Sequence, residues 1–339
     1  MKKFFNIFLY VLFTIVFSMT ACGEEDNLSS SRKTIRLLSI GNSYSQDALA
    51  YVPFIMQNMG QDVDLQIGIL MQSSATAAMH VDNFTNQKAS YKFNYYNGEG
   101  FWQVENSKTI QWALDNYEWD IIIQQGSSKS AEFAVIKSNN MQLNNLITTY
   151  LDKSVKFAWY QTINGPAVAN GKGTSINAGK NWSEEEQLSQ YQNGVLLAQD
   201  MMNSGAFEYL IPVGTAIRNA RTIPFLESMG DYSEHPNNTS GKGYLTAYDG
   251  VHLQEGLPCQ IAAYTFVQVL LDVYGFKGDT IMGDTTRATA EWARNKSIPG
   301  PHGSYVGSTD ENCRIAQECA IMAIKNPYEV TDMGYLINP

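Results

Sequence analysis

The chain is poor in metal ligands and in charge. Four histidines and four cysteines occur in 339 residues, and no cluster of them has zinc-ligand spacing, so no metal or other cofactor is expected. Charged residues make up only 17% against 44% apolar. That balance excludes wholesale disorder and leaves ample material for a core. Positive charge is the scarcer sign: 23 Lys and Arg stand against 33 Asp and Glu, a net charge of -10. An acidic surface repels phosphate backbones, so nucleic acid is not an expected partner. Internal repeats are absent. Beyond the N-terminus no stretch reads as long and apolar enough to span a bilayer.

The first residues are the most legible. Lys2 and Lys3 precede an apolar run over residues 4–17, too short for a comfortable membrane span. Ser18-Met19-Thr20-Ala21-Cys22-Gly23 follows. Small residues closing such a run at a cysteine resemble the lipobox of bacterial lipoproteins. The resemblance implies that residues 1–22 carry the signal, with Cys22 lipidated and acyl chains holding the protein to a membrane. Residues 23–33 are acidic and serine-rich, a flexible tether. Acids directly after the cysteine resemble a surface-export signal of some Gram-negative lipoproteins. This places the protein in the cell envelope, at the outer membrane and facing outward. Residues 34–339 are expected to form one domain. Of the other cysteines, Cys259 lies in an apolar helical pattern and reads as core. Whether Cys313 and Cys319 bridge is left open.

From residue 34 apolar runs alternate with helical patterns, which predicts an α/β fold with a mainly parallel sheet of about five strands. The strands are expected at residues 35–40, 63–70, 119–124, 155–161 and 209–213. Residues 91–104, around Asn97-Gly98-Glu99-Gly100, read as a hairpin-like insertion. Helices are expected at residues 52–59, 110–117, 141–151, 183–202, 257–274, 286–292 and 313–324. Ser183 is a good N-cap, and Pro258 and Gly275 bracket the most apolar helix.

Two short motifs carry chemistry. The first strand runs into Gly41-Asn42-Ser43-Tyr44-Ser45. In open α/β sheets ligands bind at the C-terminal strand ends, so Ser43 is presented at the crevice. A serine needs a base, and the base an orienting acid. Asp249-Gly250-Val251-His252, late in the chain, supplies an Asp three residues before a His. The carboxylate can hold one ring nitrogen and leave the other for the hydroxyl.

These blocks, in this order on an α/β pattern, resemble those of the SGNH (GDSL-like) hydrolase superfamily. The Gly-Asn-Ser-Tyr-Ser, Trp-Asp-Ile-Ile-Ile-Gln-Gln-Gly and Asp-Gly-Val-His-Leu runs together look like an uncharacterised family of secreted SGNH-type proteins. No Gly-x-Ser-x-Gly elbow is placed for an ordinary α/β-hydrolase. The resemblance implies a three-layer, flavodoxin-like fold and an ester hydrolase with Ser43 as nucleophile, His252 as base and Asp249 as its partner. It also implies oxyanion donors after strands two and three. Strand three ends in Gln124-Gln125-Gly126-Ser127-Ser128 with no Gly-x-Asn-Asp. Gln125, beside Gly126, is expected to supply the amide, or else to satisfy a loop. Gly68 sits inside strand two, so Ser73 or Ser74 is expected to supply the second donor.

Other residues weigh less. His80 reads as a satisfied helical residue or one lining the crevice, and His235 and His302 as surface histidines. Met71, Met79, Met201 and Met202 read as core filler. Arg218 and Arg221 are left outside the site. Trp102, Tyr160 and Trp182 either border the crevice, where their faces suit sugar rings, or belong to the core. The expected substrate is an ester, first of all O-acetylated polysaccharide. The competing readings are a non-catalytic glycan-binding or scaffold lipoprotein, and a lipase.

Overall fold

The central strands, Lys33–Gly41, Ile121–Gln125 and Lys156–Tyr160, form where apolar runs are too short for a helix, and Gly41 and Gln125 end the first two. The computed structural model describes residues 33–58, 63–99, 102–127, 131–163, 168–169, 172–173, 184–223, 245, 252–275, 302–306 and 310–336. From the N-terminus come β1 (Lys33–Gly41), α1 (Ser43–Leu49), α2 (Val52–Asn58), β2 (Val63–Met71), α3 (Ala77–Thr85), β3 (Tyr91–Tyr96), β4 (Gln103–Lys108) and α4 (Ile110–Asn116). Then follow β5 (Ile121–Gln125), α5 (Phe133–Leu151), β6 (Lys156–Tyr160), the two-residue strands β7 (Val168–Ala169) and β8 (Lys172–Gly173), α6 (Glu184–Asn203), β9 (Tyr209–Ile211) and α7 (Val213–Ala220). The last elements are β10 (Gln254–Gly256), α8 (Leu257–Tyr274), β11 (His302–Val306), α9 (Asp310–Lys325) and a 3₁₀ turn at Gly334–Leu336.

The main sheet has seven strands in the order β4-β3-β2-β1-β5-β6-β9. β1–β5, β5–β6 and β6–β9 pair in parallel, whereas β2–β3 and β3–β4 pair antiparallel. The five expected strands are all present. The count rises to seven because the hairpin at residues 91–104 is no detached insertion: it adds β3 and β4 to the β2 edge.

Parallel strands buried on both faces need helices on both sides. Ile35, Leu37 and Ile121 face one apolar layer with α1, α2, α7, α8 and α9. Leu38, Ile40 and Ile122 face the other, with residues of α4, α5 and α6. The result is a mixed α/β fold with a mostly parallel centre.

Several boundaries shift. α5 begins at Phe133 rather than residue 141. The fifth expected strand stops at Ile211, and Val213 already belongs to α7. α8 is long and apolar enough, at a mean hydropathy of 1.2, to cross a membrane by length and composition, contrary to the sequence expectation; 83% of it is buried in the protein core. Gly68 does lie within β2, where a Cβ would come within 2.6 Å of Trp119 and 2.8 Å of Phe93. Cys259, Cys313 and Cys319 are all buried free thiols, so Cys313 and Cys319 do not bridge. The expected helix at residues 286–292, Trp182, His235, Ser128, Asp249 and Cys22 lie outside the described residues.

Candidate functional site

The site grows from the C-terminal end of β1. Gly41 must be glycine because a Cβ there would sit 2.5 Å from both Gln125 Oε1 and Ser45 Oγ. Asn42 is extended and caps α1, its Oδ1 accepting the Tyr44 N–H at 3.0 Å. Asparagine is favoured there because its side chain satisfies one of the orphan N–H groups of a helix start. Ser43 is thus the first residue of α1. It alone between Gly41 and Ala50 is not buried.

Ser43 Oγ lies 2.7 Å from His252 Nε2, across 209 residues of sequence. The half-buried imidazole is flanked by the Tyr44 ring at 5.8 Å. When Nε2 accepts the serine proton, Nδ1 carries the ring's own. Such a hydroxyl–imidazole contact is the geometry that general-base activation of a serine requires.

A buried string of hydrogen bonds fixes this turn. Ser39 Oγ donates to Ser45 Oγ at 2.8 Å, and Ser45 Oγ donates to Gln125 Oε1. Gln125 Nε2 donates to Asn42 Oδ1 at 2.7 Å and to the Gly126 carbonyl at 3.2 Å. Asn42 Nδ2 in turn donates to the Ala75 carbonyl at 3.2 Å. The string ties the ends of β1 and β5 to the turn after β2. Leaving one such buried partner unsatisfied costs about 1–3 kcal/mol.

That turn holds Ser73 and Ser74. The Ala75 N–H donates to the Gln72 carbonyl at 3.1 Å, and the Gln72 N–H to the Gly41 carbonyl at 3.1 Å. Ser73 and Ser74 are therefore the exposed central pair of a tight turn beside the Ser43 turn, with Ser74 at φ 55°. Their N–H groups are not used in closing it.

The sequence candidates thus converge on one place but differ in role. Gln125 meets the Ser43 turn, yet both its amide hydrogens are committed to Asn42 and Gly126, so it holds the turn and does not offer a donor to the crevice. Gly126 is buried behind it, within 3.7 Å of Thr162 and Trp159 when a Cβ is built on it. Trp102 is buried against Tyr96 and Tyr160 against Phe266, so both are core and not crevice walls. His80 is fully buried on α3, its Nδ1 2.7 Å from Tyr91 Oη. Burial alone lowers its pKa to about 4, which keeps it neutral and outside the site. His302 lies in β11 and not in a loop. Among the described residues no three His, Cys, Asp or Glu side chains cluster as metal ligands.

The sequence reading missed what holds the segment that carries His252. The Leu253 N–H donates to Asp47 Oδ2 at 3.2 Å, the Gly256 N–H to Tyr51 Oη at 3.2 Å, and Cys259 Sγ to the Gln254 carbonyl at 3.2 Å. The available signal was the spacing of four between Ser43, Asp47 and Tyr51, which stacks them on one helical face. Burial above all, then the nearby Asp47 carboxylate, pushes the Tyr160 hydroxyl and the Cys259 thiol far up, so Cys259 stays an unreactive thiol.

A crystal structure of a DUF4886 family protein from Bacteroides uniformis ATCC 8492 is similar in fold, with a TM-score of 0.63 and 24% identity over 89% of this chain and 99% of that one. A comparison with curated proteins finds no match. The family described as Domain of unknown function (DUF4886) matches residues 36–273, a span that takes in both Ser43 and His252. With well over half of its length matched, the chain belongs to the DUF4886 family.

Proposed function

We propose that this protein is a serine esterase of the SGNH type, with the flavodoxin-like three-layer fold of that superfamily. The observation that carries the reading is the 2.7 Å contact between Ser43 Oγ and His252 Nε2. In this reading Ser43 Oγ bonds to the acyl carbon while its proton passes to His252 Nε2. The imidazolium then protonates the departing alkoxide as the C–O bond breaks. Water, deprotonated by the same ring, releases the acid and restores Ser43. Asp249, three residues before the base in sequence and outside the described residues, is assigned the acid of the triad, the group that would orient the imidazole. With the Gln125 amide committed elsewhere, the oxyanion is received by backbone N–H groups of Ser43 and of the Ser73–Ser74 turn.

The described residues of the turns beside Ser43 are polar and open: Ser73 and Ser74 are exposed and Ser127 is half-exposed. That favours a short acyl group on a hydrophilic carrier over a lipid, and O-acetylated polysaccharide fits best. Lipidation at Cys22 would hold the protein at the outer membrane of a Gram-negative envelope, where such glycans are met. Nucleic acid is no part of this reading.

A fluorophosphonate probe is expected to label Ser43 alone. Ser43→Ala is expected to abolish labelling and to lower hydrolysis of a short-chain nitrophenyl ester and of acetylated xylan by at least about a thousandfold. A label on any other residue overturns the assignment. The commitment of Gln125 favours one second reading, a glycan-binding lipoprotein without catalysis. Absence of labelling and hydrolysis, with glycan binding equal in wild type and Ser43→Ala, selects it.

A further inference from the structure

Ser43, Asp47 and Tyr51 follow one another at a spacing of four along α1 and its continuation, and each meets the segment that carries His252. Ser43 faces the ring itself, Asp47 takes the N–H of Leu253, and Tyr51 takes the N–H of Gly256. We propose that Asp47 is a positioning residue: its buried carboxylate fastens the base-bearing segment to the helix that carries the nucleophile. The proposal rests on the serine hydrolase reading for its consequence, though not for its geometry.

Asp47 is fully buried on α1, directly before the buried apolar pair Ala48 and Leu49. A carboxylate in such a place is tolerated only when hydrogen-bonded, and a backbone N–H is a donor that cannot rotate away. Leu253 is the immediate neighbour of His252, so the bond fixes the backbone next to the ring. The link joins residues 206 positions apart, and the Tyr51 link joins residues 205 apart. They act together with the pairing of β10 and β11 and the Cys259–Gln254 contact, and of these the Leu253 link lies nearest the ring. A misplacement of about 1 Å in a hydroxyl–imidazole pair typically costs on the order of a hundredfold in rate.

The test uses the full chain, with two readouts. The first is the rate of fluorophosphonate labelling at Ser43, together with kcat and KM on a nitrophenyl ester. The second is amide hydrogen exchange over residues 252–256, which does not require activity. Asp47→Ala is expected to slow labelling and kcat by roughly ten- to a hundredfold with little change in KM, and to expose the Leu253 amide to exchange. Asp47→Asn keeps an oxygen that accepts the same bond, and is expected to restore protection and most of the rate. Should Asp47→Ala fail to fold, Tyr51→Phe removes the acceptor for Gly256 and is expected to give a smaller loss in both readouts.

Protection and rate unchanged in Asp47→Ala would overturn the proposal. So would an Asp47→Asn protein that keeps its protection but is as slow as Asp47→Ala, since the charge and not the hydrogen bond would then matter. If wild type is not labelled at Ser43, the hydrolase reading fails by itself, and the exchange comparison still decides whether Asp47 holds the segment.

Discussion

At the scale of single residues the site depends on one missing side chain. Gly41 has no Cβ, and that vacancy admits the Gln125 carboxamide between Asn42 and Ser45, which bracket Ser43 and Tyr44. Gly41→Ala would push a methyl to 2.5 Å from Gln125 Oε1 and Ser45 Oγ. Neither atom is the free end of a flexible chain, because both lie in a buried hydrogen-bond string. The expected outcome is a loss of about 1–3 kcal/mol in urea denaturation and a larger relative loss of Ser43 labelling. A variant that unfolds and labels like wild type would show that the string tolerates displacement. At this scale Ser43 and His252 were legible, since a hydroxyl after a first strand and an Asp-x-x-His late in the chain are local motifs. Asp47 was not. In Ser-Tyr-Ser-Gln-Asp-Ala-Leu it looks like a solvated helix acid, and only the arrival of residues 252–256 makes it a buried acceptor. Gln125 was found with two roles left open, because sequence cannot show where both hydrogens of an amide go.

Elements were legible where an internal period and a terminal signal agree. α8 begins and ends at the residues expected, because Pro258 suits its first turn and Gly275, at φ 73°, ends it in the left-handed conformation. β4 was taken only as part of an insertion. Gln-Val-Glu-Asn-Ser-Lys buries no residue, so an edge strand of this kind lacks the alternation that marks a strand. α7 was missed because Pro212-Val213-Gly214 reads as a strand end, whereas tight packing of Gly214 against the Thr162 carbonyl turns the chain into a helix at once. The junction of β10 and α8 has its own constraint. Gly256 adopts φ 98°, ψ -120°, a region essentially closed to other residues. Gly256→Ala is expected to cost about 1–3 kcal/mol in thermal or urea unfolding and to raise hydrogen exchange across residues 252–256, since the strain falls on the segment that carries His252. Wild-type stability in this variant would mean that the junction relaxes without strain.

For the whole molecule, two electrostatic effects oppose each other on acidification. With a net charge of -10 and a pI of about 4.9, the chain sheds self-repulsion between pH 7 and pH 5, which favours the compact state. His80 acts the other way. Its ring is fully buried and held by Tyr91, which also accepts from Asn83 at 3.1 Å, and burial lowers its pKa from 6.5 to about 4. Below pH 6.5 the unfolded chain binds a proton at this ring that the folded chain refuses until about pH 4. The stability gained by keeping the ring neutral is therefore fully present above pH 6.5 and is lost as the pH falls through that window. The loss amounts to about 2 kcal/mol between pH 7 and pH 5, and roughly 3 kcal/mol by pH 4. Surface repulsion is spread over many exposed carboxylates and screened within about 10 Å at ordinary ionic strength, so the His80 contribution should dominate at 0.1 M salt or above. Urea denaturation of wild type and His80→Gln across this range separates the two. Wild type is expected to lose stability steadily below pH 6.5, while the variant, which keeps only the charge effect, stays level or gains. The two curves should draw together by about 2 kcal/mol from pH 7 to pH 5. Parallel curves would mean that the imidazole reaches a proton in the folded state as readily as in the unfolded one, and that the α3–β3 interface is open to water at that point.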